Sequence, residues 1–407
     1  MMNKKNLELY IHIPFCVRKC DYCDFLSFPG SERMQREYVE RLLEEIEYRS
    51  ARAEEYQVVS VFIGGGTPSI LKAEEIAAIL QALRKNFDLL PDAEITMEMN
   101  PGTVTEEGLL VCREAGVNRI SIGLQSADDR ELRYLGRIHT YDEFLKSYQR
   151  VRMAGFDNVN VDLISAIPGQ TLESWKNTLK KVVMLKPEHI SAYSLIVEEG
   201  TPFYDRYGNS AGEKECSPAS EKARSFGPLS DLPDLPGEDA EREMYYFTQS
   251  FLLDQGYERY EISNYSKKDR QCRHNIGYWT GVQYLGLGLG SSSYMDGCRF
   301  HNTPDYREYC GARLDQGEEA EKIFSQEFER LTIEERMEEY MFLGLRLTKG
   351  VSARDFAGSF GQNILDVYGP VLNEMMREGL MELEDGFYRL TSRGIDISNY
   401  VMSQFLI

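Results

Sequence analysis

Long apolar runs are missing from this 407-residue chain. No stretch reaches the roughly 20 residues that a membrane-spanning helix needs, so an integral membrane protein is not expected. Positive charge is also short. Lys and Arg number 46 against 66 Asp and Glu, a formal net charge of −20. That balance disfavours a nucleic-acid partner, which is gripped by clustered Lys and Arg. It equally disfavours docking on anionic lipid by charge alone. Cysteine is too sparse for a disulfide scaffold, with eight in the whole chain. Cys112, Cys216, Cys272, Cys298 and Cys310 stand singly, as small buried or surface residues do. The opening MMNKKNLELYIHIPF lacks both a signal-peptide apolar region and an Arg-rich transit pattern, so a cytoplasmic protein is expected. What is present suffices for a globular core, 42% of residues being hydrophobic. The length suggests two or three domains.

Short apolar segments rich in Val, Ile and Tyr recur at 9–13, 58–63, 93–99, 117–124, 158–165 and 189–197, and read as strands. Amphipathic stretches between them read as helices over 31–53, with Ser31 as cap, and over 73–87, 105–115, 141–153 and 171–185. Six strand–helix alternations indicate a parallel α/β sheet, either an open doubly wound sheet or a barrel. The unusual residues favour a barrel. A cysteine loop follows the first strand and GGGTP (64–68) the second. Glu98 ends the third, Gln125 follows the fourth, Asp162 lies on the fifth, and Tyr193 and Ile196 lie on the sixth. Chemistry gathered at the C-terminal ends of successive strands is the barrel habit, and six units make an incomplete (β/α)6 barrel over 1–204. Residues 205–240 are rich in Ser, Pro, Gly and charge and read as a flexible insertion. Helical and strand-like patterns resume over 241–320, where GLGLG (286–290) reads as close packing at a turn. The segment 321–407 reads as a helical module with a winged-helix-like hairpin in GLMELEDGFYRLTSRG, giving a C-terminal α+β extension.

The cysteine loop, HIPFCVRKCDYCDF, has the spacing C-x3-C-x2-C and offers Cys16, Cys20 and Cys23. Three soft thiolates can hold three corners of a [4Fe–4S] cube and leave the fourth iron open to a small molecule. Zinc would ask for a fourth ligand, usually in a second paired half, and no such half follows; a redox C-x-x-C pair is the other alternative. GGGTP lacks both the G-x-G-x-x-G spacing and the P-loop lysine. Consecutive glycines let a backbone approach a ligand closely, or simply make a tight turn.

With Tyr22 just before its third cysteine, this loop resembles that of the radical S-adenosylmethionine (SAM) superfamily. The resemblance implies a [4Fe–4S] cluster whose open iron binds the amino and carboxylate groups of SAM. It also implies that GGGTP holds the SAM amino group. Asp162, a carboxylate inside an apolar strand, needs a partner, which a SAM hydroxyl or base amine could supply. Arg137, in YLGRIH, could pair with the SAM carboxylate. Y-x-H-I-P-F-C, GGGTP, E-x-NPG, GLQS, VDLI-x-x-IPGQT and YEISN together resemble the oxygen-independent coproporphyrinogen III oxidase family. On that motif match Tyr10, Gly65, Gly66, Thr67, Glu98, Gln125, Arg137, Asp162 and Ile196 fall on the family's SAM contacts.

Two departures bear on function. The authentic oxidase carries a further cysteine where this chain has Phe25. The run His274-Asn275-Ile276-Gly277-Tyr278-Trp279 is similar to a pattern of the family's haem-chaperone branch. The resemblance then implies haem contact by His274, Asn275, Tyr278 and Trp279, with His274 as axial ligand or pocket member and the aromatics packing on the porphyrin. It further implies haem-accepting apo-proteins, such as membrane respiratory enzymes, and an electron donor such as flavodoxin or ferredoxin. Radical decarboxylation of coproporphyrinogen III, or another radical reaction, is the alternative.

Overall fold

The fold, described here from a computed structural model, covers residues 4–208, 231–314 and 317–406. Alternation along the strands sets its layers, because successive side chains point to opposite faces. On β1 (Lys5–Ile13), Leu7, Leu9, Ile11 and Ile13 are fully buried against the helices, while Glu8, Tyr10 and His12 face the concave interior. The same phase runs through β2 (Tyr56–Gly65), β3 (Leu89–Met99), β4 (Arg119–Gln125), β5 (Val159–Ser165) and β6 (His189–Ser194). Ser60, Thr96, Ser121, Asn160 and Ser191 therefore form a polar interior, and the aliphatic half of each strand joins the core.

β1 to β6 are parallel and neighbour one another in chain order. Helices α1 (Glu32–Ser50), α2 (Ala73–Asn86), α3 (Glu106–Glu114), α4 (Asp129–Tyr134), α5 (Tyr141–Met153) and α6 (Leu172–Met184) link them. Ser31 caps α1 by accepting a hydrogen bond from the Met34 amide, as its sequence position suggests. The sheet does not close. Past β1 it continues through β9 (Gln283–Leu287), parallel to β1, and then β10 (Ser292–Met295), β11 (Cys298–His301) and β12 (Gln326–Arg330). Past β6 it continues through β8 (Asn264–Ser266) and β7 (Glu258–Arg259). The result is a curved, open twelve-stranded sheet, an incomplete barrel.

A second core, around Met341, Phe356, Tyr368 and Leu372, holds the helices Ile333–Gly344, Ala353–Phe360 and Ile364–Arg377. They pack with a three-stranded antiparallel sheet of β13 (Val351–Ser352), β14 (Met381–Glu384) and β15 (Phe387–Leu390), which contains the expected hairpin.

Several sequence boundaries need correction. β1 starts at Lys5 rather than at residue 9, and β3 at Leu89 rather than at residue 93, because pairing with β2 continues beyond the central apolar run into flanks broken by polar residues and Pro91. β6 ends at Ser194, which leaves Ile196 outside the strand. α4 and α7 (Pro202–Tyr207) are too short to show periodicity. The insertion reading fails at both ends of its range. Residues 205–207 belong to α7, and the helix Glu238–Asp254 starts inside it. The intervening Pro233 carbonyl accepts a hydrogen bond from Tyr207, and the Asp234 carbonyl one from Gly169. Residues 209–230, with Cys216, lie outside the described residues. GLGLG spans the end of β9 and the turn after it.

Candidate functional site

A cavity of about 460 Å³ opens at the C-terminal ends of the parallel strands. Cys16, Cys20, Cys23, Gly65, Gly66, Thr67, Glu98, Gln125, Arg137, Asp162 and Ile196 all line it, so eleven residues scattered over the sequence share one space. Tyr10 does not. It lies deeper, hydrogen-bonded through its hydroxyl to His12 Nδ1 at 3.0 Å, and stacked on Phe62.

The cysteine loop is fastened to the glycine loop by backbone. The Gly66 amide donates to Ile13 O at 2.8 Å and the Thr67 amide to Phe15 O at 2.7 Å. A Cβ on Gly66 would sit 2.6 Å from Phe15 O and 3.0 Å from Cys16 Sγ, so this glycine is needed for contact with the cysteine loop itself. Tyr22 anchors the far side of the loop beside Phe203, in a small core with Leu135 and Ile164. All three cysteines are free thiols. Burial and the neighbouring Cys20 push the Cys23 thiol up to about 11, so it awaits a positive partner. Among the described residues no three His, Cys, Asp or Glu side chains converge on one ion position. Thiolates that each bind a different iron of a cube have no need to converge, and the soft donor set fits a [4Fe–4S] cluster.

The polar residues have partners that the sequence could not supply. Glu98 Oε2 accepts from the Gly65 amide at 3.2 Å, and burial with the Asp162 carboxylate nearby raises its pKa to about 8. Asp162 accepts from Ser121 Oγ and from Asn160 Nδ2, each at 2.8 Å, so the protein itself already supplies partners for this half-buried side chain. Gln125 ends β4 at φ 71°, a left-handed conformation unusual outside glycine and a mark of functional turns. Arg137 is buried and committed. Its Nη2 donates to Asn100 Oδ1 at 2.7 Å and to Gly123 O at 2.6 Å, and its Nη1 points at Cys20 Sγ at 3.7 Å. Arg137, expected to pair with the SAM carboxylate, lines the cavity with its guanidinium bracing the cysteine loop. Asn100 went unnoticed because Asn before Pro-Gly reads only as a turn. Phe25 stands on the rim, 68% exposed.

The H-N-x-x-Y-W run lies elsewhere, on the helix Arg273–Thr280. His274 is 1% exposed, with Nδ1 against Ser60 Oγ at 2.9 Å, Nε2 against the Tyr278 hydroxyl at 3.1 Å, and its ring stacked on Phe62. Burial and Arg119 hold its pKa down to about 3, so the imidazole is neutral. Glu8 beside it is raised to about 9 by burial. Gly277 lets the helix close on Glu8, whose Oε1 would lie 2.0 Å from an added Cβ. Both ring nitrogens of His274, expected as axial ligand or pocket member, are thus engaged within the protein. Asn275 stands in the first turn, where its amide meets the Cys272 thiol. Tyr278 and Trp279 line a separate cavity of about 390 Å³ with Tyr284, Tyr294, Tyr340, Phe360, Arg299 and Arg336. From Ser60 to Gly65 along β2, at about 3.3 Å per residue, is about 16 Å, so His274 and the cysteine loop occupy opposite ends of the barrel.

The model for the radical SAM superfamily matches residues 10–182, and that for the HemN C-terminal domain matches 331–397. The haem chaperone HemW of Lactococcus lactis is 33% identical over 407 residues, 100% of this chain and 99% of that protein. HemW of Escherichia coli is 33% identical over 412 residues, covering 100% of each. Among solved structures, coproporphyrinogen III oxidase (HemN) from Escherichia coli superposes with a TM-score of 0.80 over 99% of this chain and 90% of that one, at 22% identity, which speaks for the fold. Full-length identity to these relatives, with the cysteine loop and the C-terminal module both in place, makes the chain a member of the haem chaperone HemW family.

Proposed function

We propose that this chain binds haem and passes it to apo-proteins, from a radical-SAM core that also binds a [4Fe–4S] cluster and SAM. Cys16, Cys20 and Cys23 would hold the cluster, which when bound would supply an electron for reductive cleavage of SAM. Gly65, Gly66 and Thr67 present the glycine-loop backbone to SAM, Glu98 and Asp162 offer carboxylates, and Gln125 and Ile196 bound the same space. Tyr10 acts from beneath, through His12.

The observation that carries the haem reading is the second cavity. Its six aromatic rings suit the faces of a porphyrin, and Arg299 and Arg336 suit its propionates. Arg299 is at present paired with Glu339 at 2.7 Å. Tyr278 and Trp279 touch the ligand, while Asn275 and the buried His274 hold their helix in place. Acceptor proteins are respiratory haem enzymes, the electron donor is a flavodoxin or ferredoxin, and the site of action is the cytoplasm.

The test is anaerobic reconstitution followed by haem titration and by incubation with SAM, reductant and coproporphyrinogen III. The expected result is a saturable Soret band, weakened at least several-fold in Trp279→Ala, and no protoporphyrinogen. Protoporphyrinogen IX from the wild type would replace the chaperone by the enzyme.

A further inference from the structure

Two of the three cysteine sulfurs sit at the ends of one hydrogen-bond chain. Arg137 Nη1 approaches Cys20 Sγ at 3.7 Å, and its Nη2 donates to Asn100 Oδ1 at 2.7 Å. Asn100 Nδ2 donates to Thr67 Oγ1 at 2.7 Å, and Thr67 Oγ1 lies 3.3 Å from Cys16 Sγ. Arg137, Thr67 and Cys16 are all buried, at 7%, 3% and 8% exposure. The chain has one direction. A guanidinium only donates, so it fixes the amide oxygen of Asn100 toward itself and turns the amide nitrogen to Thr67. With that donor on its oxygen, the Thr67 hydroxyl has its own proton left for Cys16. A metal-bound thiolate is acceptor only, which suits this arrangement.

We infer that Asn100 is a positioning residue that, through Thr67 and Arg137, directs one hydrogen bond onto each of two cluster thiolates and thereby raises the reduction potential of the cluster. Hydrogen bonds to sulfur and burial are established levers on that potential. The residues come from three different loops, after β2, after β3 and after α4, so the potential depends on the assembled barrel and not on the cysteine loop alone. The inference rests on the cluster reading of Cys16, Cys20 and Cys23.

The test is an EPR-monitored redox titration of the anaerobically reconstituted full chain without SAM, alongside iron analysis. Thr67→Val keeps shape and charge and removes only the donor to Cys16. Asn100→Leu removes the centre of the chain without adding charge. Thr67→Ser keeps the hydroxyl. Thr67→Val and Asn100→Leu should each make reduction harder by a factor of about ten or more, a shift of about −59 mV for one electron. Thr67→Ser should titrate like the wild type. A purely structural role would lower iron content and leave the potential of the remaining clusters unchanged. Thr67→Val titrating at the wild-type potential therefore overturns the inference, whether or not Asn100→Leu loads iron. A wild-type chain that assembles no cluster instead refutes the cluster assignment.

Discussion

Glu98→Gln offers a quantitative check on the electrostatics of the strand-end cavity. In the folded chain, burial and the Asp162 carboxylate raise the Glu98 pKa from 4.5 to about 8. The unfolded chain ionises this group near its ordinary value. Raising a carboxyl pKa on folding stabilises the native state only below the unfolded value. As pH climbs from about 4.5 to 8, the unfolded state sheds its proton first and native stability is lost. At pH 7 the gap spans about 2.5 pH units, and at about 1.4 kcal/mol for each the cost is at most about 3 to 4 kcal/mol. Gln keeps an acceptor for the Gly65 amide and carries no titratable proton. The cluster-free variant should therefore match the wild type near pH 4.5 and exceed its stability increasingly up to pH 8. Denaturant midpoints measured at half-unit pH steps check this. Parallel profiles for the two proteins would refute the reasoning. A cationic ligand would reverse the preference and draw the proton off, so wild-type SAM affinity should climb toward pH 8 more steeply than that of Glu98→Gln.

Three further outcomes follow from the geometry. Replacing Cys16, Cys20 and Cys23 together by alanine should remove all of the about four irons that one cube holds, measured after reconstitution. Gly66→Val should lower iron content as well as SAM affinity by calorimetry, because its Cβ meets Phe15 O and Cys16 Sγ; full iron loading would contradict that contact. Gly277→Ala should destabilise the fold by about 1–3 kcal/mol in urea titrations, since Glu8 must move off its Ser60 bond; an unchanged midpoint would show that the helix can back away.

Much of the strand-end cavity was legible because barrel chemistry accumulates where strands end, and strand ends can be read from apolar runs followed by Cys, Gly-Gly-Gly or an isolated carboxylate. Eleven of its residues could be placed near one another before any coordinate was known, but not their partners. Ser121 meets Asp162 only because β4 and β5 are neighbours in a definite register, while Asn160 reaches it from two residues earlier on the same strand. Asn100 reads as a turn residue. His274 shows the converse. Its motif suggested a ligand, and only the fold reveals that Ser60, more than two hundred residues earlier, already binds it. The strands β9 to β12 were illegible as part of the main sheet, since nothing in GLGLG announces that it pairs with β1.

That pairing bears on how the polypeptide can be divided. A six-stranded parallel sheet that stops at β1 and β6 would present two rows of unpaired amides and carbonyls, and such rows template aggregation. Here β9 occupies one row and β8 the other, both contributed by residues beyond 250. A chain cut at residue 204 would keep all three cysteines of the C-x3-C-x2-C loop and every residue lining the strand-end cavity. It would nonetheless emerge with both flanks open, prone to join its own copies edge to edge. The C-terminal half thus covers both open edges of the N-terminal half of its own chain.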